Sequence, residues 1–136
     1  MSGFFKARVD SYDVHMLEEV AGCREGYTRM ANALPEQTTS LLDLGCGTGL
    51  ELHEIFRRFP DAAVTGIDLT DSMLEELRRK HLSPNLTLIC GDYFSQDFGK
   101  DHFDAAVSFQ SLHHFKPEAK IELYQRVLNA LKPGGV

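Results

Sequence analysis

Residues 41–51 read LLDLGCGTGLE, and this stretch decides the fold. Three glycines at alternate positions follow the acidic residue Asp43, namely Gly45, Gly47 and Gly49. Glycine accepts a positive φ and leaves room for a ligand where a Cβ would clash. A strand that enters such a loop brings bare backbone against a small ligand at the carboxyl end of a parallel sheet. The stretch therefore predicts a strand, a ligand-binding loop and a helix in that order.

The spacing of the glycines separates two kinds of cofactor. The dinucleotide fingerprint G-x-G-x-x-G has a third glycine that packs the helix on the strand. Counted from Gly45, that position holds Leu50, so the loop here is G-x-G-x-G. This spacing disfavours a dinucleotide, and a nicotinamide-dependent Rossmann oxidoreductase stays only as a competing hypothesis.

Three more β-rich runs follow at intervals that suit successive βαβ units. Residues 63–68 end in Asp68, and residues 86–93 contain Asp92, 24 residues further along the chain. A carboxylate at the end of the second strand is placed to accept both hydroxyls of a ribose. Residues 103–109 form the fourth run, and a helix that ends in proline and glycine follows it.

Helix boundaries are predicted from breakers and caps. Apolar residues recur at helical spacing over residues 11–34, with a break at Gly22. Ser72 and Glu75 have the spacing of a capping box at the start of the helix after the second strand. Pro117 suits the first position of the last helix.

Taken together, these motifs resemble the class I S-adenosylmethionine (SAM) dependent methyltransferases, in particular the small-molecule, ubiquinone-biosynthesis-like branch. The resemblance covers roughly residues 40–136. It implies an α/β fold, with an open parallel Rossmann-like sheet of strand order 3-2-1-4 and flanking helices. It also implies SAM as the cofactor, direct transfer of its methyl group, and a small-molecule acceptor.

The family's sheet has seven strands, whereas this sequence reaches Gly135 and Val136 where a fifth strand would begin. We therefore expect the N-terminal portion of a methyltransferase. Its parts are an N-terminal helical segment at residues 1–38 and a SAM-binding Rossmann-like half-domain at residues 39–136. Strand four would then lack a partner on its outer edge, so we expect self-association there and little turnover by the chain alone.

The resemblance also implies which residues contact the cofactor. Asp43 would orient the glycine loop and meet the cofactor's ammonium group, and Asp68 would accept from the ribose. Leu69 would pack on the adenine, and Asp92 would accept from the adenine amino group. The predicted cofactor-binding residues are Asp43, Gly45, Gly47, Gly49, Asp68, Leu69, Asp92, Tyr93, Phe109 and Gln110.

His113 and His114 follow the fourth strand at the rim of the expected pocket. One of them is a candidate general base for an acceptor hydroxyl, although a packing or hydrogen-bonding role at the rim is favoured for these residues. Adjacent side chains point in different directions, and no carboxylate lies at ligand spacing, so no metal site is predicted. Cys46 is interpreted as a small filler between glycines rather than as a nucleophile.

Composition sets the remaining expectations. The 136 residues suit one domain, and 43% hydrophobic with 25% charged residues is ordinary for a globular protein. No run approaches the ~20 apolar residues of a membrane span. The net charge of −6 disfavours a nucleic-acid partner, which needs a basic face. Three widely spaced cysteines suit a reducing compartment, so we expect a cytoplasmic protein.

One further hypothesis stays open. A non-catalytic module that binds SAM as a sensor would show much the same sequence. A SAM titration separates both SAM-binding hypotheses from the oxidoreductase. Methyl transfer by the full-length protein separates the enzyme from the binding module.

Overall fold

The computed structural model describes residues 22–81, 83, 85–109, 111, 112 and 115–136, with Cys23 described by its backbone alone. The elements in chain order are α1 Cys23–Ala33, β1 Ser40–Leu44, α2 Leu50–Arg58, β2 Ala63–Asp68, α3 Asp71–Lys80, β3 Leu86–Cys90, β4 Ala105–Val107 and α4 Pro117–Ala130. Helices connect β1 to β2 and β2 to β3, whereas a loop connects β3 to β4. None of the helices in the described ranges has the length and apolar character needed to cross a membrane.

The four strands form one parallel sheet in the order β3-β2-β1-β4, which confirms the predicted topology. In register, Asp43 of β1 lies level with Gly66 of β2 and Val107 of β4. Asp68, the last residue of β2, lies level with Cys90 of β3. The carboxyl ends of the strands therefore meet at one edge of the sheet, where open α/β proteins bind their ligands.

Each face of the sheet buries its own apolar cluster, and β1 contributes to both because its side chains alternate. Leu41 packs with Leu52 of α2 in the cluster that α1, α2 and α3 complete. Leu42 packs with Leu123 of α4 in the cluster on the opposite face. Asp43 lies two residues after Leu41 in the strand, so both side chains point toward the face that α2 covers. A carboxyl group is thus placed where the neighbouring side chains are apolar.

The predicted helix boundaries at Gly22 and Pro117 are confirmed. Gly22 precedes α1 with a φ of +81°, and Pro117 opens α4. The part of the predicted N-terminal helical segment at residues 1–21 lies outside the described residues. The described part is α1, which ends at Ala33, before Pro35. Residues 34–39 then connect it to β1.

The predicted capping box of Ser72 and Glu75 is wrong. The helix α3 begins at Asp71, its N-cap is Thr70, and no side chain caps it. Instead, Asp68 Oδ1 accepts a hydrogen bond from the Thr70 backbone N–H at 2.9 Å. The turn into α3 is therefore closed by the acid at the end of β2, two residues before the N-cap.

The outer edge of β4 differs from the prediction that it has no partner. The Ala106 N–H donates to Val136 O at 2.8 Å, and the Val136 N–H donates to Asp104 O at 3.2 Å. Phe103 and Leu131 form a parallel bridge just before these bonds. The segment after α4 thus lies along this edge, and the prediction of an unpaired edge is wrong for these backbone groups.

A carboxylate fastens the other end of β1, opposite the ligand edge. Asp104 Oδ2 accepts from the Thr39 N–H and hydroxyl, both at 2.8 Å, and from the Ser40 N–H at 3.1 Å. Lys132 Nζ lies 3.1 Å from Asp104 Oδ1. These contacts, led by the Thr39 N–H bond, lower the pKa of Asp104 to about 2. The carboxylate therefore stays ionised well into the acid range.

Candidate functional site

The loop after β1 folds back across the end of β2. The backbone N–H groups of Gly45 and Cys46 both donate to Ile67 O, at 2.8 and 3.2 Å. The Gly47 N–H donates to Asp68 Oδ2 at 2.9 Å. The loop is therefore held by the last two residues of β2, so its shape depends on the pairing of β1 with β2.

Two of the loop glycines are required by close packing within the protein. A Cβ at Gly45 would overlap the side-chain oxygens of Ser111 and Tyr93. A Cβ at Gly49 would lie 2.8 Å from Leu77 Cγ of α3. Both glycines therefore let neighbouring parts of the chain approach the loop.

Gly47 has a different environment. A Cβ there would meet only Met73 Sδ, at 3.8 Å, among the described atoms. Its φ is +52°, a region that disfavours most side chains. Gly47 also lines a cavity at the carboxyl ends of the strands, named here the main cavity. Gly47 therefore exposes bare backbone to whatever occupies that cavity.

Asp68 is the most strongly oriented side chain of the site. Oδ2 accepts from the Gly47 N–H and Oδ1 accepts from the Thr70 N–H, each at 2.9 Å. Each carboxylate oxygen keeps acceptor capacity beyond its one bond, since a carboxylate offers about four lone-pair sites. Asp68 is half-buried and lines the cavity, so it can accept from a ligand's hydroxyl groups.

The main cavity lies at the carboxyl ends of the strands and has a volume of about 490 Å³. Its size is typical of sites for small molecules and cofactors. The residues that line it are Gly45, Gly47, Asp68, Leu69, Thr70, Met73, Asp92, Tyr93, Phe94, Phe109, Ser111 and Phe115.

The structure brings seven of the ten predicted cofactor-binding residues to this cavity. They are Gly45, Gly47, Asp68, Leu69, Asp92, Tyr93 and Phe109. Asp43 and Gly49 do not line it: Asp43 is buried beneath the loop, and Gly49 packs against α3.

Three predicted residues, Gln110, His113 and His114, lie outside the described residues. Among the side chains that the structure does describe, no three His, Cys, Asp or Glu residues converge on a point where they could hold a metal ion.

The sequence predicts Tyr93 at the cavity but not Phe94 and Phe115, which form an aromatic wall with it. Phe94 and Phe115 meet edge to face with ring centroids 5.2 Å apart, and Tyr93 meets Phe115 at 5.9 Å. The Tyr93 hydroxyl shares a hydrogen bond with Ser111 Oγ, and burial raises the pKa of Tyr93 to about 12. Tyr93 thus forms part of the floor beneath Gly45, and the aromatic run Tyr93–Phe94 was the available signal.

Arg126 of α4 is a second residue that sequence analysis missed. Its guanidinium donates to Tyr93 O at 2.7 Å and to Gln96 O, and it stacks over the Phe98 ring at 4.6 Å. These contacts hold the loop after β3, which carries Asp92 to the cavity. Nothing in the helical pattern of α4 distinguishes Arg126 from a solvated surface arginine.

A buried pair of carboxyl groups lies beneath the loop. Asp43 is fully buried, and Glu51, in the first turn of α2, is 5% exposed. Burial, followed by the charge of Glu51, raises the pKa of Asp43 well above its usual range. Burial also raises the pKa of Glu51. The sequence indicated Asp43, but a charged residue such as Glu51 is normally expected at the surface.

Cys46 packs as the small filler that the sequence predicts. It is 1% exposed and belongs to the apolar cluster on the α2 face. Burial, followed by the charges of Asp43 and Asp68, raises the pKa of the thiol far above its ordinary value. A thiol that stays protonated at neutral pH is a poor nucleophile.

These features define a class of protein. An open parallel sheet, a glycine loop after its central strand and an oriented acid at the next strand end are typical of proteins that bind a nucleoside-bearing ligand. The chain belongs to the methyltransferase domain family, which residues 41–135 match. This membership confirms the resemblance found in the sequence.

Several methyltransferases are similar to this chain. The malonyl-[acyl-carrier protein] O-methyltransferase of Priestia megaterium is 26% identical over 137 residues, which cover 96% of this chain and 47% of that protein. The sterol 24-C-methyltransferase of Aspergillus fumigatus is 31% identical over 126 residues, or 90% of this chain and 29% of that protein. A solved structure of an S-adenosylmethionine dependent methyltransferase from Mesorhizobium loti matches with a TM-score of 0.68 and 30% identity, covering 88% of this chain and 52% of that one. The chain thus spans less than half the length of both curated relatives.

Proposed function

We propose that this chain is the cofactor-binding part of a SAM-dependent methyltransferase. The observation that carries the proposal is the placement of Asp68, whose carboxylate is held by two backbone N–H groups at the edge of the main cavity. A carboxylate fixed in this way accepts from the vicinal hydroxyls of a ribose, and SAM carries a ribose. Membership of the methyltransferase domain family supports the same assignment.

The rest of the cavity fits the other parts of SAM. Gly47 leaves ligand space that a Cβ would fill. Leu69, 70% exposed at the rim, offers an apolar surface to the adenine face. Asp92 lines the same cavity, and its Oδ1 accepts from the Phe94 N–H at 3.0 Å, which orients the carboxylate. We assign Asp92 to the adenine amino group.

SAM supplies an electrophilic methyl group on a positively charged sulfur. Because the positive charge disappears as the new bond forms, the protein contributes mainly by holding the reacting groups in line. Asp68 and Gly47 would fix the nucleoside end of the cofactor. The main chain at Phe109 and Gln110 would border the methionine portion, and the aromatic wall would exclude water.

A general base is needed only for an acceptor that keeps its proton at neutral pH. We propose His113 and His114 for this role, since both follow β4 in the sequence. Replacement of the responsible histidine by glutamine should remove the acidic limb of the pH–rate profile. If neither His113→Gln nor His114→Gln alters that limb, the assignment is wrong.

We propose a small-molecule acceptor and a cytoplasmic location. The relatives' names state a malonyl-[acyl-carrier protein] and a sterol as their substrates, so the supported class of acceptor is broad. The net charge of −6 argues against nucleic acid. Methyl transfer from labelled SAM to a panel of small hydroxy, carboxy and carbon-nucleophile compounds, with RNA and DNA as comparison acceptors, tests this assignment.

We also propose the division into an N-terminal helical segment, residues 1–38, and a half-domain, residues 39–136. The described part of the first segment packs on the second, because Ala31 and Leu34 share an apolar cluster with Ile55 of α2. Limited proteolysis should therefore leave the connection between α1 and β1 intact.

Self-association near β4 is a further proposal. Because Ala106 donates to Val136 O, β4 has a partner on its outer edge, and an unpaired edge no longer supports self-association. The helix α4, which follows β4 in the chain, has exposed apolar side chains that support it instead. Ile121, Tyr124 and Leu128 are 58%, 52% and 68% exposed. Light scattering over a concentration series should show a mass above the monomer that Leu128→Lys lowers, and a monomer throughout would contradict the proposal.

Calorimetry tests the function as a whole. The chain should bind SAM, and it should bind NAD more weakly or not at all. Tighter binding of NAD would return the oxidoreductase hypothesis. SAM binding without methyl transfer by the full-length protein to any acceptor would favour the sensor module.

A further inference from the structure

Three of the four carboxyl oxygens of the buried residues Asp43 and Glu51 lack a hydrogen-bond partner in the described part of the chain. Among the described residues, no donor reaches Asp43 Oδ1, Asp43 Oδ2 or Glu51 Oε1. An ionised carboxylate in such a place is strongly disfavoured unless a proton, a donor or a positive charge compensates it. Two ionised carboxylates beneath the same loop are disfavoured further by their mutual repulsion.

A single proton satisfies the pair. Asp43 and Glu51 lie close enough to form a side-chain hydrogen bond once one of them is protonated. Burial raises the pKa of Asp43 well above its usual range, whereas the hydrogen bond with Asp43 works against the rise that burial causes in the pKa of Glu51. The pair therefore shares one proton, which forms the hydrogen bond between the two carboxyl groups, and the two groups titrate as a unit.

Other ionisable groups face the pair from every side. Asp68 of β2 adds negative charge, and Lys80 of α3 adds positive charge. Cys46 and Tyr93 have raised pKa values and stay neutral near pH 7. From α1, Tyr27 lines a cavity of about 20 Å³ that Glu51 also lines. The two fixed charges are of opposite sign, so the pair keeps a net negative charge that attracts cations.

A small cavity lies beside Glu51 and shares part of its lining with the main cavity. The small cavity measures about 20 Å³, and Glu51 lines it beneath Gly45 and Gly47. Gly45, Gly47 and Phe109 line both this cavity and the main one. On the far side Tyr27 packs against Phe109 with ring centroids 4.6 Å apart. The space holds about one water molecule or a group of similar size, so Glu51 is placed to respond to the ligand.

We propose that Glu51 is a positioning residue that, together with Asp43, holds one proton beneath the glycine loop and releases it when a cationic ligand such as SAM binds above. The inference rests on the proposed function. On release, the O–H bond of the protonated carboxyl group breaks, its electron pair stays on that oxygen, and the proton passes to the solvent. The second negative charge of the pair is then compensated by the positive charge of the bound ligand. No electron pair moves to the ligand, and no other reactant is needed.

The direction of the pH effect follows from this linkage. Because binding releases a proton, a rise in pH strengthens binding wherever the free pair is protonated and the liganded pair is not. The dissociation constant for SAM should fall by up to about tenfold per pH unit in that range. The range lies above the ordinary carboxyl pKa of about 4, since the pKa of Asp43 is raised.

Isothermal titration calorimetry of the 136-residue chain with SAM, in two buffers of different ionisation enthalpy, measures the released proton directly. Between about pH 6 and pH 8, carboxyl groups of ordinary pKa stay ionised and do not contribute. The wild type should release more protons than Glu51→Gln by roughly half a proton or more. The difference between the two proteins cancels the protons of SAM's own amino group and of other side chains.

Glu54→Gln is the matched control, because Glu54 lies on the same helix and pairs with Arg57 at 3.2 Å. It should release as many protons as the wild type. Asp43→Asn is the second variant, since an amide also donates to Glu51, and it should lose the released proton as Glu51→Gln does. Equal proton release by wild type and both variants, with SAM bound, overturns the inference about the pair. No SAM binding by the wild type overturns the proposed function instead.

Discussion

The ends of β1 and β2 look alike in sequence, yet the structure treats their acids in opposite ways. Asp68 accepts two backbone hydrogen bonds and lines the main cavity. Asp43 is fully buried, and no donor in the described chain reaches its carboxylate. One acid is therefore oriented by backbone donors at the edge of a cavity, and the other is buried without any donor from the described chain.

The pairing register explains the difference. Asp43 lies level with Gly66, two residues before Asp68 on the neighbouring strand. At about 3.3 Å per residue, Asp43 lies about 7 Å deeper than Asp68 along the strand direction. At that depth α2 covers the sheet and places Glu51 nearby, whereas Asp68 lies at the open edge. Depth along the strand, rather than residue type, assigns the two roles.

The largest effect is expected at Gly47, which joins the two strand ends through its bond to Asp68. In Gly47→Val, a β-branched side chain would occupy ligand space and strain a φ of +52°. SAM binding should become undetectable by calorimetry, while circular dichroism shows most of the fold retained. Gly99→Val is the control for backbone strain, since Gly99 has a φ of +79° in an exposed loop. Normal SAM affinity in Gly47→Val would show that the loop does not approach the ligand.

The next largest loss of SAM affinity is expected on replacement of Asp68, the acid that accepts two backbone hydrogen bonds. Asp68→Ala removes charge-assisted bonds to the ribose and the acceptor of the Gly47 N–H. The loss should be roughly 1.5–3 kcal/mol of binding energy, or about 10–150-fold in SAM affinity. Asp61→Ala is the control, because Asp61 is exposed just before the other end of β2. An unchanged dissociation constant in Asp68→Ala would refute the ribose assignment alone.

Replacement of the buried acid Asp43 should instead change the free energy of unfolding. The pKa of Asp43 is higher in the folded state than in the unfolded state, so binding of its proton stabilises the fold. This contribution to the free energy of unfolding is complete below the unfolded pKa of about 4, and it is lost as the pH rises through the folded pKa. In Asp43→Asn, the free energy of unfolding should fall less steeply with rising pH, and it should exceed that of the wild type by about 1 kcal/mol at alkaline pH. Urea unfolding at a series of pH values measures both effects. A wild-type stability that rises over this range in parallel with Asp43→Asn would contradict the raised pKa.

The smallest effect extends the comparison to the end of β3. Arg126→Met keeps an apolar stem over Phe98 but removes the bonds to Tyr93 O and Gln96 O. Because Arg126 does not line the cavity, SAM affinity should fall only about 2–5-fold through looser placement of Asp92. Arg78→Met, an exposed change on α3, should leave the affinity unaltered. Equal affinities of Arg126→Met and wild type would show that the loop keeps its position without the arginine.

The sheet order and much of the cavity are implied by the resemblance to the methyltransferase family, and the motifs that carry this resemblance are local in the sequence. The glycine loop and the strand-end acid Asp68 are adjacent to recognisable strands, and the βαβ connections leave few topologies. Glu51 was missed because its burial depends on how α2 crosses the sheet. Arg126 was missed because its partners lie about 30 residues away in a loop without regular structure. The capping box failed because Asp68, outside the motif, accepts from the Thr70 N–H.

The hydrogen bonds that Asp104 accepts stabilise one end of β1, and the residues that line the main cavity lie at the opposite edge of the sheet. The bonds of Asp104 to Thr39 and Ser40 lie at the amino end of β1, away from the cavity. Rim residues such as Leu69, which is 70% exposed, contribute little to the buried clusters. Substitutions at the rim therefore cost little folding free energy, so the rim of the cavity can vary by single mutations while the fold is retained.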